Sequence, residues 1–373
     1  MRSRIAAVLL PILVPFMAIV AALLVGAVFL IALNTDPLKV YEKLISGALN
    51  STYSLSQTIG KATPLLLVAI GICIAFRANV LNIGAEGQVI VGGLATTAFA
   101  LAFESLPSGL LITLSLIAGA LAGAVWGGIA GVLKARFGVN EILSTIMMNQ
   151  IAIQLLILLL TGPMRDSSAS ATSANIIQTA QIPKQAWLPL LIPRTFFHAG
   201  AIVAVILAFV GFFFLWRTVA GYRIRAIGAN PDASRYAGIQ VPGTVVQAML
   251  LSGALAGLAG GVEVLGVTHR TIQDFSTGYG FSGIVVALFG GLHPVAAIPA
   301  SLLFGGLLVS GSKLQSVGIN QAMVTVLQGL IVLFVVGSTE ITRRYRIRRA
   351  AEQGRMPTLE SEIGQPTLAE EAG

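Results

Sequence analysis

Thr63-Pro-Leu-Leu-Leu-Val-Ala-Ile-Gly-Ile-Cys-Ile-Ala-Phe-Arg-Ala-Asn-Val-Leu-Asn-Ile-Gly-Ala-Glu-Gly-Gln88 is an apolar run that gives way to a short polar stretch, after which apolar sequence resumes. Its first part reads as a helix over 63–77 and the resumption as a helix over 86–104. Between them two amides, one carboxylate and two glycines fall within seven residues, 82–88. A break between apolar helices is tolerated at membrane depth only where the backbone is buried in protein or lines a cavity. A similarly short segment, 278–292, is bounded by Gly278 and Pro294, and the corresponding breaks suggest a weak internal repeat.

The chain around this stretch belongs in lipid. Of its 373 residues 55% are hydrophobic and only 10% charged, where a soluble protein carries roughly 25% charged residues. Apolar runs such as 8–33 and 110–133 reach the roughly 20 residues that cross a bilayer as a helix. Helices are expected near 7–33, 63–77, 86–104, 109–133, 141–162, 198–216, 244–267, 278–292, 294–311 and 322–340. The expected fold is therefore an all-α integral membrane protein of about ten transmembrane helices, several of them short or broken. Met1-Arg-Ser-Arg4 precedes an apolar run too long for a secretory signal, so it reads as an uncleaved first helix.

The net charge of +8 lies in short loops and at the termini rather than on one basic face, which argues against nucleic acid. Threading the spans with the N-terminus inside places Arg2, Arg4, Arg77, Lys134, Arg136, the basic residues of 217–235 and those of 343–355 on the cytoplasmic side. That arrangement obeys the positive-inside rule and puts both termini in the cytoplasm. The longer stretches 34–62 and 163–197 would then lie outside, as loops or short surface helices. Residues 1–342 read as one transmembrane domain containing a cytoplasmic loop over 217–243. Residues 343–373 read as a basic and then polar tail too poor in apolar residues to order itself.

Candidate functional residues begin with Asn82, Glu86 and Gln88, which can either bond neighbouring helices or offer hydrogen bonds to a polar solute. Asn140 and Glu141 suit a helix N-cap and a first-turn acid. Asn149 and Gln150 lie deeper in the same span and need partners there. Glu263 is an acid inside a Gly/Ala-rich span, placed either to meet substrate or to pair internally. Gly221-Tyr-Arg-Ile-Arg-Ala-Ile-Gly-Ala-Asn-Pro-Asp-Ala-Ser-Arg-Tyr-Ala-Gly-Ile239 encodes a short helix over 231–237. Asn230 suits its N-cap, Pro231 its first position, Asp232 the positive dipole end and Gly238 its stop. Such a helix is either an ordinary surface element or a knob for a cytoplasmic partner. The chain has no phosphate-binding Gly-x-x-x-x-Gly-Lys-Ser/Thr loop. His198, His269 and His293 lack metal-binding spacing, and Cys73 is the one cysteine, so neither a metal site nor a disulfide is indicated.

Asn79-Val-Leu-Asn-Ile-Gly-Ala-Glu-Gly-Gln88, Asn140-Glu-Ile-Leu-Ser-Thr-Ile-Met-Met-Asn149, the stretch 223–239 and Gly280-Phe-Ser-Gly-Ile-Val-Val-Ala-Leu288, in that order, resemble the branched-chain amino acid and ribose type permease family of ABC importers. The likeness spans about 65–342 and is greatest to nucleoside or simple-sugar permeases. It implies a type II importer-like permease that is not an enzyme and binds no cofactor of its own, with ATP and Mg held by an ABC ATP-binding subunit. It further implies a second permease subunit, the same or different, and an extracytoplasmic substrate-binding protein. By the same resemblance Asn82, Glu86, Gln88, Asn149, Gln150 and Glu263 lie near the substrate pathway. Gly228, Asn230, Pro231, Asp232, Ala233, Arg235 and Gly238 would couple to the ATPase. Leu81 and Gln150 depart from the family's usual Phe and Tyr, and loss of the aromatic at 150 bears on base stacking. The residues alone also admit an ion-coupled transporter using Glu86, Glu141 and Glu263, or a membrane scaffold or enzyme without transport. Within the importer reading, nucleoside and sugar both stay open.

Overall fold

A computed structural model describes residues 17, 20–32, 35–166, 177–276 and 278–315, with 326, 329–331, 333–334 and 337–338 of a further helical stretch. The tail 343–373 and most of the expected span 322–340 lie outside the described residues, as does the start of the expected span 7–33. Helices account for all the regular structure among the described residues, apart from isolated bridges Gln178 to Ile272 and Leu190 to His198.

The helices are α1 Val20–Ala32, α2 Pro37–Leu49, α3 Thr52–Arg77, α4 Ala85–Ala102, α5 Ser108–Phe137 and α6 Glu141–Thr161. After a 3-10 turn at Lys184–Ala186 come α7 Gly200–Arg217, α8 Val219–Ala229, α9 Pro231–Tyr236, α10 Val241–Glu263, α11 Tyr279–Phe289 and α12 Ala297–Gln315. Among them α3, α4, α5, α6, α7, α10 and α12 are long and apolar enough to cross a membrane, while α1 and α11 are shorter apolar helices.

Several expected boundaries shift, for identifiable reasons. The helix expected from 63 begins at Thr52, because Pro64 lies inside α3 instead of in its first turn. Proline is at home at a helix start and costly inside one, so the sequence pattern favours the wrong boundary. The span expected over 244–267 is α10 followed by a π-helical segment, Val264–Thr268, which ends at His269 with φ +53°. The cytoplasmic loop expected over 217–243 holds a second helix, α8, ahead of the short one.

The described residues divide into two compact units, and the division falls within α3 and α12. In Ile59–Leu302, α10 packs against α5 and α4 along a seam of glycines. A Cβ on Gly257 would stand 2.3 Å from Gly119 O, and one on Gly253 would stand 2.2 Å from Gly123 O. Small residues let membrane helices approach until backbone touches backbone, where dispersion and Cα–H contacts replace the hydrophobic drive that lipid does not supply. The seam therefore fixes α4, α5 and α10 as a rigid triple around which the polar side chains are arranged.

In the other unit, Leu30, Val40, Leu44 and Leu314 form a buried cluster. Lys313 Nζ donates to Gly47 O at 2.6 Å and Ser54 Oγ at 2.7 Å, and Ser310 Oγ donates to Leu44 O at 2.5 Å. These bonds satisfy polar groups of the α12 end against two carbonyls of α2 and a hydroxyl in the first turn of α3, the arrangement that burial requires.

Candidate functional site

The break between α3 and α4 is held by side chains rather than left loose. Asn79 takes a left-handed turn at φ +55°, a conformation asparagine tolerates better than most residues. Asn82 then closes a local turn, accepting from Gly84 N–H at 3.1 Å. Its Nδ2 donates to Gln88 Oε1 at 3.0 Å and Ser252 Oγ at 2.9 Å, while Gln88 Nε2 returns a bond to Asn82 Oδ1 at 3.0 Å. Asn82 and Gln88 are buried, and the reciprocal pair satisfies amides that would be expensive to leave unpaired. Asn149, reaching from α6, accepts from Gly87 N–H at 2.8 Å and donates to Ile83 O at 2.9 Å. The unwound carbonyl of Ile83 and the unpaired first-turn N–H of Gly87 in α4 thus find on α6 the partners that a continuous helix would have supplied.

Glu86 sits in the first turn of α4, and its Oε2 accepts from Gly280 N–H in the first turn of α11 at 2.7 Å. One carboxylate therefore serves two helix N-termini, whose partial positive charges favour an anion. Glu263 is brought instead to Lys61 of α3 and Tyr279 of α11. Lys61 Nζ donates to Glu263 Oε1 at 3.2 Å and to Tyr279 Oη at 2.6 Å, and Tyr279 Oη donates to the same Oε1 at 3.0 Å. Gln150 stands apart, exposed on the face of α6 that also carries Leu143, Met147 and Leu158.

Asn140 caps α6 by accepting from Ile142 and Leu143 N–H at 2.9 and 3.3 Å, and Glu141 pairs with Lys134 at the end of α5. The stretch 177–199 lies along the π segment. Ile182 N–H donates to His269 O at 3.0 Å, Leu188 N–H donates to Leu265 O at 2.9 Å, and Trp187 stacks on His269 with ring centres 3.8 Å apart. His198 is buried against Gly266 and Gly200, and that burial drives its imidazole down to about 4, with the charge of His269 adding to the fall.

The short helix α9 forms the second candidate surface. Asn230 accepts from Ala233 N–H at 2.9 Å, Pro231 occupies the first helical position, and Gly238 ends the turn at φ +80°. Asp232 and Arg235 make an exposed pair at 3.2 Å, which screening leaves with little energy. Ser234 turns inward, whereas Tyr236 is 96% exposed. Behind this helix, Gly228 lets α8 close on the end of α3, since a Cβ there would stand 2.0 Å from Arg77 O. Trp216, at the end of α7, has Arg77 5.2 Å and Arg225 5.9 Å from its ring centre, with the His293 ring 5.0 Å away.

Asn82, Glu86, Gln88, Asn149 and Glu263, expected from the sequence near a pathway, all have polar partners, among them Lys61, Ser252 and Tyr279, which no sequence pattern singles out. Lys61 falls in a stretch read as an outer loop, and its signal is a lone cation one turn before an apolar helix. Ser252 is hidden among the small residues of α10, while Tyr279 follows the helix-opening Gly278.

The described residues thus form a multi-pass helical membrane fold whose break before α4 is braced by buried amides and a carboxylate. The chain belongs to the family described as branched-chain amino acid transport system, permease component, which matches residues 54–336. It is similar to the guanosine ABC transporter permease protein NupP of Bacillus subtilis, 35% identical across 88% of this chain and 94% of the relative. It is also 34% identical to the nucleoside ABC transporter permease protein NupB of Lactococcus lactis, across 87% of this chain and 90% of that one. The glucose ABC transporter permease protein TsgB13 of Haloferax volcanii is 35% identical across 89% of each chain. No solved structure matches. The protein is an ABC transporter permease, a transport component and not an enzyme.

Proposed function

We infer that the chain is the permease of an ATP-driven importer for nucleosides. The observation that carries this reading is the likeness to NupP and NupB over nearly the whole chain. A second reading, uptake of a simple sugar, draws support from the equal identity to TsgB13. The two solute classes share a hydroxyl-bearing ring and differ in the base.

In this reading an extracytoplasmic binding protein delivers the solute, a second permease subunit completes the pathway, and an ABC ATP-binding subunit supplies ATP and Mg. The permease lies in the inner membrane with both termini in the cytoplasm. Residues 230–239 seat on the ATPase, where the Asn230 cap keeps α9 rigid enough to transmit motion through α8 to the end of α3. Asn82, Glu86, Gln88 and Asn149 brace the broken segment beside the pathway and hold its shape, while Glu263 faces the solute. Gln150 meets lipid or the second permease subunit on the exposed side of α6. Affinity within the pathway is low, because a tight site would trap the solute it must release.

The test is uptake of radiolabelled guanosine and glucose by cells carrying the whole transporter, against cells deleted for this chain alone. Guanosine uptake that needs both the chain and ATP is the expected result. Glucose uptake in its place moves the solute, and uptake that persists after ATP depletion overturns the importer reading.

A further inference from the structure

Glu263, Lys61 and Tyr279 do not use up their hydrogen-bonding capacity on one another. Both bonds to the carboxylate converge on Oε1, whereas Oε2 is buried and has no partner among the described residues. Lys61 spends two donors on the triad, an ammonium carries three, and a third of its side chain is exposed. The triad therefore presents a bare acceptor beside a spare donor. A buried carboxylate oxygen without a partner is costly, and Glu263 leads directly into the π segment Val264–Thr268, an irregularity frequent at functional sites. Ser276 Oγ, at the turn into α11, is another buried polar atom without a partner among the described residues.

The charges select the chemistry of what fits. An anion is repelled by Glu263 and a cation by Lys61, but a neutral solute with adjacent hydroxyls suits both. One O–H donates to Glu263 Oε2, and the neighbouring oxygen accepts from Lys61 Nζ. We propose that Lys61 and Glu263, steadied by Tyr279, form a diol-binding subsite that takes the vicinal hydroxyls of a ribose or hexose ring. This rests on the reading of the chain as a permease for nucleosides or sugars.

The test measures uptake by cells carrying the whole transporter, normalised to the permease present in the membrane fraction. Guanosine is compared with its 2′,3′-dideoxy analogue, and glucose with its 2-deoxy analogue where glucose is the solute carried. Glu263→Gln lowers uptake of the intact solute by about 10- to 100-fold, the usual weight of a hydrogen bond to a charged group, and lowers uptake of the deoxy analogue less than about threefold. The binding protein is the same in both strains, so the change in preference belongs to the permease. The exchanged pair Lys61→Glu/Glu263→Lys rebuilds the ion pair with its members interchanged, and is expected to recover membrane level without recovering solute preference. Full recovery of guanosine uptake by the exchanged pair would overturn the subsite, since the pair would then serve structure alone. Equal losses for intact and deoxy solute would do the same, as would absence of every variant from the membrane. A wild type that takes up neither nucleoside nor sugar fails the underlying transport reading, and the subsite with it.

Discussion

Gly257→Ala puts one methyl group into the seam of α4, α5 and α10, and the structure sets the size of the effect. The new Cβ would stand 2.3 Å from Gly119 O and 2.9 Å from Gly123 Cα, both backbone atoms of α5. Ordinary contact begins near 3.4 Å, so α5 must retreat by about 1 Å, because backbone cannot swing aside as a side chain does. Overpacking of this kind costs about 1–3 kcal/mol, and a gap of that width forfeits roughly a quarter to a half of the dispersion between the separated surfaces. The same shift reaches the amide cluster, since Gly127 of α5 lies against Gln88 Nε2. The assay is thermal aggregation of the detergent-solubilised protein, read beside Gly109→Ala, whose added methyl meets nothing within 4 Å. Gly257→Ala is expected to melt well below wild type and Gly109→Ala close to it. Equal melting of the two variants would refute the claim that backbone contact in the seam holds these helices together.

Asn82→Ala removes both halves of the reciprocal amide pair and strands Gln88 in the core, at a cost of about 3 kcal/mol or more; permease in the membrane fraction falls, as an immunoblot will record. Asn230→Ala loses the cap of α9 and about 1 kcal/mol, so ATP hydrolysis by the assembled transporter persists while uptake per ATP drops. His198 is held neutral by burial, with its folded value near 4 against an ordinary 6.5. The unfolded chain therefore binds the proton first, and stability declines as pH falls from about 6.5 toward 4, by roughly 3 kcal/mol at the limit. His198→Phe flattens that decline, which melting temperatures across pH 4–7 will reveal.

The membrane-spanning character is legible because lipid imposes one coarse rule, long uncharged runs, and 8–33, 110–133 and the span at 200–217 obey it plainly. The broken segment is legible for a related reason: Asn82, Gly84, Glu86 and Gln88 crowd into a place where only partnered backbone survives. What the sequence does not disclose is direction. Asn82 and Gln88 turn toward each other and Ser252, and no spacing rule predicts a bond between residues on α10 and the turn before α4. Lys61 is hidden by Pro64, which mimics a helix start, and by Ser, Thr and Gln in the first turns of α3, tolerated because protein covers much of that end. The helix α9 is the best specified element, since cap, first proline, acid and terminal glycine all act within a few residues of the chain.

The ring of Trp216, with arginines from the end of α3 and from α8 near it and a histidine alongside, gives the protein an optical reporter of its own. Nearby cations and imidazole change the energy and yield of indole emission, so any stroke that moves α8 against α3 changes the fluorescence of one residue. The chain contains only three tryptophans, and replacing Trp126 and Trp187 with Phe isolates that signal. Movement of α8 against the end of α3 can thus be timed in the purified permease without attaching a dye.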